Sequence, residues 1–299
     1  MASPLVPLAE ALATAHAVPS DGTIWWQAWG GDPAFLVIPV LLTWWYLRGL
    51  RRWTLRSWPH PRWRTASFLA GIALLVLAEE SPLDWLAAHH LTFHMVQHEV
   101  VTMLAVPAIL LGAPATPVLR GMPSWLRRGV VRPVARSTAG RAAYDALTGP
   151  AAAAVAFIVS VWGWHLVPGW YDAALRQPPL HAVQHATFAV AAGLFWWNVL
   201  PSPPHRPRLE AMPRILYLVA VGALKDGAAA LIVFAQTPLY SEYAHIARIV
   251  DWTALRDQQI GGLVMWVPST LLMLGVAGAI FVTAYAAPPP EPEGGSSAD

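Results

Sequence analysis

TFHMVQHEVVTMLAVPAILL (Thr92–Leu111) is the stretch on which the reading of this chain turns. A helix crossing a hydrocarbon core of about 30 Å needs roughly 20 mostly apolar residues, and this run supplies them. Its opening turns nevertheless carry His94, His98 and Glu99. Residues four apart lie on one helix face, so His94 and His98 point the same way. A second apolar run, Pro179–Leu200, opens on HAVQH with the same spacing at His181 and His185. Coincidence, a repeat left by duplication, and a metal site are the three explanations the pair raises.

Composition sets the background. The 299 residues are 56% hydrophobic and only 12% charged, with mean hydropathy +0.44. Soluble domains carry roughly 25% charged residues. Seventeen tryptophans and 28 prolines fit a polytopic membrane protein, with aromatic belts and proline tolerated within spans. The absence of cysteine excludes disulfides, thiolate metal sites and thiol redox chemistry. A pI near 9.1 could suggest nucleic acid, but the placement of the arginines reads better as topology. Residues 1–24 lack a basic n-region and carry Glu10, so no cleaved signal peptide is expected.

Seven stretches have the character of spans: Pro33–Leu47, Thr65–Leu77, Thr92–Leu111, Gly149–Leu166, Pro179–Leu200, Arg214–Ala235 and Asp257–Ala287. Alternate loops on one side hold fifteen arginines, among them Arg48, Arg62, Arg120, Arg141, Arg206 and Arg214. The opposite side holds Arg176, Arg248 and Arg256. The positive-inside rule then predicts an all-α seven-helix transmembrane bundle with the N-terminus outside. On this reading residues 1–32 form an outer segment and 33–287 the membrane domain. Residues 288–299, PPEPEGGSSAD preceded by a further proline, form a disordered cytoplasmic tail.

That topology gathers most histidines on the outer side: His89, His90, His94, His98, His165, His181, His185 and His245. His60 and His205 fall on the cytoplasmic side, where a hydrated interfacial role is the ordinary one. With each HxxxH a turn or two from its span's outer end, four imidazoles on facing helices could converge, as bundles build metal sites. The flanks SPLDWLAAHHLTFHMVQH (Ser81–His98) and PGWYDAALRQPPLHAVQH (Pro168–His185) match in layout, suggesting a duplicated two-helix unit. Gln97 and Gln184 would then orient ligands or bond between helices.

Further polar groups lie within the spans. Lys225 and Asp226 fall near the middle of Arg214–Ala235, where charges are costly and are functional or paired. Glu99 and Asp257 are the candidate partners for Lys225. Asp257 opens the last span as a helix-start carboxylate that can cap it, with Gly261 and Gly262 permitting close helix approach. Met265 lies nearly beneath Asp257 on the same face. The candidate ligands are therefore His94, His98, His181 and His185, with His165, Asp257 and Met265 as second choices and Met95 available to copper(I). Glu99, Lys225 and Asp226 form a candidate polar network. Glu79, Glu80 and Asp84 add outer acidity that could attract a cation, although for any one of them a solvated loop charge is the more ordinary reading. Imidazole suits copper, zinc, iron and nickel, so the ligands alone do not choose the metal. No phosphate loop, GxSxG elbow or HExxH helix is present, and HEVVT lacks the second zincin histidine.

HMVQHEV, HAVQHATF with GLFWWNVLP, KDG (Lys225–Gly227) and DQQIGGLVMWVP (Asp257–Pro268) together resemble the CtaG family of multi-pass cytochrome c oxidase assembly factors. The resemblance implies a bacterial plasma-membrane protein that supports maturation of a haem-copper oxidase by handling copper on the outer side. Its expected partners are the lipid bilayer, a nascent oxidase subunit and a copper donor protein, with no nucleic acid and no catalytic residues. A single-span copper chaperone that shares the family's name works through a cysteine pair, which this chain lacks. Two other classes stay open: a membrane oxidoreductase with di-iron or b-type haem, and a metal or proton transporter using Lys225 and Asp226.

Overall fold

The computed structural model describes residues 25–30, 33–53, 59–246 and 249–285, and within these the chain is helical, with no strand. The expected N-terminal segment lies mostly outside the described residues, and the acidic tail wholly so.

Each of the seven apolar stretches is helical. They correspond to α1 (Pro33–Arg51), α2 (Arg62–Glu80), α4 (Leu91–Leu111), α7 (Pro150–Leu166), α9 (Pro178–Trp197), α10 (Ala211–Phe234) and α12 (Ala254–Tyr285). Short helices lie between them: α3 (Pro82–His89), α5 (Ala115–Gly121), α6 (Thr138–Leu147), α8 (Trp170–Arg176) and α11 (Glu242–His245). Among the described residues, α4, α10 and α12 are each long and apolar enough to cross a membrane. Five spans result if the bent pairs α2–α3 (46°) and α6–α7 (59°) each count as one. Leu216, Leu224, Leu271, Leu274 and Phe281 stand exposed along these helices, a surface suited to lipid and unsuited to water.

The main core is built from α4, α7, α9, α10 and α12, around Met95, Phe157, Phe188, Phe195, Trp196 and Leu218. Gly261 and Gly262 let α12 press between two neighbours. A Cβ on Gly261 would meet the Leu91 and Met95 side chains at 3.3 Å, and one on Gly262 would come within 2.7 Å of Val233. Tyr46, Phe68 and Ile72 form a second, smaller core where α1, α2 and α5 meet, with the Tyr46 and Phe68 rings stacked at 3.8 Å.

Two breaks in helix regularity lie near the polar groups. Residues Val100–Ala105 of α4 take the wider π-helical turn, with the Val106 N–H reaching back to Val101 O. This turn follows directly on His98 and Glu99 and precedes Pro107, which has no N–H to give the ladder. Pro268 lies inside α12, three residues beyond Met265.

Candidate metal centre

Both HxxxH pairs begin at the fourth residue of their helices, His94 in α4 and His181 in α9. The two faces turn toward each other. His185 Nε2 lies 3.1 Å from His98 Nε2 and 3.3 Å from His94 Nε2, and His181 Nε2 lies 3.2 Å from His94 Nε2. His94, His98 and His185 are buried and offer nitrogens within 4.8 Å of one another, while His181 is half-buried at the rim.

The outward nitrogens explain the orientation of the rings. Tyr243 donates its single hydroxyl hydrogen to Ala87 O (2.8 Å), so the 2.8 Å contact to His94 runs from Nδ1–H to the phenol oxygen. Burial pushes the Tyr243 phenol well above its ordinary pKa and keeps it neutral in this role. His185 Nδ1 lies 2.8 and 2.9 Å from the two Glu79 oxygens, the carboxylate–imidazole arrangement that fixes a metal-binding tautomer. With Nδ1 protonated and both rings neutral, the His94 and His185 Nε2 atoms face each other as lone pairs; a second proton on His185, paired with Glu79, would instead be donated to His94 Nε2. Two lone pairs at 3.3 Å repel unless a proton or a metal ion lies between them. The spacing also suits a metal: nitrogens about 2.0–2.1 Å from a tetrahedral centre are about 3.3 Å apart. The donor set therefore fits a metal held by neutral imidazoles.

Loop anchoring supports this geometry. Asp172 of α8 accepts from Ser241 Oγ (2.6 Å) and from the backbone N–H groups of Ser241 and Glu242, fixing the turn that carries Tyr243. The Tyr171 ring packs against His94 and the Phe188 ring against His98, with centroids 5.3 and 4.7 Å apart.

The other candidate residues lie in different settings. Both Asp257 oxygens face the start of α4, accepting from Leu91 N (2.9 Å), Thr92 N (3.0 Å) and Thr92 Oγ1 (2.7 Å). Asp257 thus satisfies N–H groups that helix α4 leaves open, rather than capping its own helix, which begins at Ala254. His90 Nε2 accepts from Ile249 N and Val250 N, and its Nδ1 lies 3.6 Å from Asp257. Met95 packs against Gly261. Gln97 donates to Ala78 O and Asp84, tying α4 to α2 and α3, while Gln184 is buried and its amide meets no hydrogen-bond partner. His165 donates from Nδ1 to Val161 O at 2.8 Å, and its ring centroid lies 5.9 Å from that of His98.

Lys225 and its neighbours form a compact buried network one layer deeper. Lys225 Nζ donates to Met265 O (2.8 Å) and Ser269 Oγ (2.7 Å), and lies 3.3 Å from Asp226 and 3.5 Å from Glu99. Thr270 donates to the second Asp226 oxygen at 2.6 Å. A cavity lined by His98, Glu99, Thr102, His165, Lys225 and Met265 separates this network from the histidines.

Glu79 and Tyr243 were not singled out from sequence as partners of the histidines. Glu79 reads in the sequence as a solvated loop charge, but it lies within α2 with its side chain largely buried against His185; Tyr243 carries no sequence signal.

An all-helical protein with membrane-spanning helices and a buried histidine cluster is the class these features define. The family described as cytochrome c oxidase caa3 assembly factor (Caa3_CtaG) matches residues 44–287, and the chain belongs to it. The chain is also similar to two uncharacterised mycobacterial proteins, one from Mycobacterium bovis and one from Mycobacterium tuberculosis. Each is 26% identical over 275 residues, covering 86% of this chain and 39% of the relative. The chain thus spans about two-fifths of the length of these relatives. No solved structure matches it.

Proposed function

We propose that the chain is a bacterial plasma-membrane assembly factor for a haem-copper oxidase. It binds copper at His94, His98, His181 and His185 and passes it to an oxidase subunit. The single observation that carries this reading is the convergence of three buried imidazoles with nitrogens within 4.8 Å of one another, with Nδ1 of two rings engaged by Glu79 and Tyr243. Family membership supports the pathway, and the all-imidazole donor set is compatible with copper. The arginine asymmetry supports seven spans with the cluster toward the outer face.

The residues divide the work. His94, His98 and His185 hold the cargo away from water, and Glu79 balances its charge through His185. His181 stands half-exposed and is the nitrogen an incoming donor or acceptor meets first. Copper held by these imidazoles would supply the positive charge that neutral nitrogen donors accept.

The test is the oxidase made in cells whose only copy of this chain carries His98→Ala/His185→Ala. The expected enzyme has its haem but is deficient in copper, while the variant chain reaches the membrane in normal amount. An oxidase with full copper would contradict the proposal.

A further inference from the structure

Two buried nitrogens beside the cluster lack a protein partner. His98 Nδ1 has no hydrogen-bond partner, and neither has His165 Nε2, whose Nδ1 is committed to Val161 O. Leaving such groups buried and unpaired forfeits the hydrogen bonds that water would give them. Both residues line the same cavity, which is about 20 Å³ in size. That exceeds the roughly 10–15 Å³ one water requires, and two to four polar partners are needed to hold it there. Glu99, whose Oε2 also lacks a partner, lines the cavity with Lys225.

We infer that one ordered water fills this cavity and bridges His98 to His165, making His165 a positioning residue for the third imidazole rather than a ligand. The water serves either tautomer of His98, since it both donates and accepts. Once Nε2 of His98 is committed to a metal, its Nδ1 must carry the proton. The water then accepts from Nδ1–H and donates to His165 Nε2, with its second hydrogen directed to Glu99. His98 thereby obtains the outer partner that Glu79 gives His185 and Tyr243 gives His94. The bridge also joins the cluster to the Glu99–Lys225–Asp226 network, so each site depends on the other's arrangement. The consequence for metal rests on the copper reading above; the bridge itself rests only on the unpaired nitrogens and the cavity.

Two measurements test the inference. A density map of chelator-treated protein should contain a single peak within about 2.7–3.2 Å of both His98 Nδ1 and His165 Nε2. An empty cavity overturns the bridge, whether or not the protein ever binds metal. Copper(I) is then titrated against a competing chelator for the parent, His165→Phe and His165→Gln. Removing an outer-shell partner typically costs 10–100-fold in affinity. His165→Phe is expected to lose that much at unchanged stoichiometry and unchanged nitrogen count by X-ray absorption, and His165→Gln to recover most of it. Loss of one nitrogen from the copper's shell in His165→Phe would make His165 a ligand and overturn the inference, as would unchanged affinity. A parent protein that binds no copper refutes the proposed function and leaves the map to decide the bridge.

Discussion

The two HxVQH units begin alike and end differently. In each, a short helix with an aspartate at its third residue, Asp84 in α3 and Asp172 in α8, leads into a long helix whose fourth residue opens the histidine pair. In the first unit Asp84 accepts from that unit's own glutamine, Gln97, and the start of α4 is closed by Asp257. Its two histidines are buried. In the second, Asp172 instead holds the 241–242 turn, Gln184 has no partner, and His181 is half-exposed. The first unit has both histidines buried, whereas the second buries His185 and leaves His181 partly exposed. The difference teaches that a repeated motif can supply both the fixed wall and the accessible rim of one site.

Substitutions that strike both units at once should have the largest effect. His98→Ala/His185→Ala removes one proposed ligand from each and is expected to abolish copper retention, a loss greater than the 10–100-fold expected on removing a hydrogen-bond partner of a ligand, measured by equilibrium dialysis. Breaking the first unit alone is a stability experiment. Asp257→Ala leaves the Leu91 and Thr92 N–H groups unpaired at roughly 1–3 kcal/mol each, so thermal unfolding in detergent should move markedly lower. Glu79→Gln and Tyr243→Phe each remove one outer partner and should weaken copper binding about 10–100-fold while leaving its stoichiometry intact. His181→Ala should weaken it least among the four histidines. An equal loss at His181 and His98 would remove the distinction between wall and rim.

The opposite end of the molecule offers a control. His60 and His205 are partly buried, and desolvation together with Arg64 or Arg208 holds each below the ordinary imidazole pKa. Their neutral forms are favoured by folding, so their contribution is fully present above about pH 6.5 and fades as pH falls through the lowered values. The expected result is a small acid-side loss of stability that His60→Gln/His205→Gln reduces. Unchanged acid sensitivity in that variant would assign the loss elsewhere.

Much of this was legible in the sequence, and the limit has a physical form. Periodicity alone put His94 with His98 and His181 with His185, because i and i+4 share a face whatever surrounds them. The apolar runs marked the seven helices for the same local reason. Between helices, composition pointed to the converging histidine faces and to a carboxylate for the buried Lys225; of the two expected partners Glu99 lies 3.5 Å from Nζ, whereas Asp257 faces the start of α4 and the neighbouring Asp226 stands at 3.3 Å. Glu79 reaches His185 across 106 residues and Tyr243 reaches His94 across 149, and no local rule anticipates such approaches. Asp257 illustrates the same limit: a helix-start carboxylate reads as a cap for its own helix, yet it serves the start of α4, 166 residues away.

The central claim is that the two histidine faces converge on a metal, and elemental analysis of the purified chain tests it most directly. After exposure to copper and removal of excess, the parent is expected to hold close to stoichiometric copper and His98→Ala/His185→Ala essentially none. Equal metal in both proteins, or none in either, would contradict the account and leave a proton on His185, paired with Glu79, as what holds the rings together.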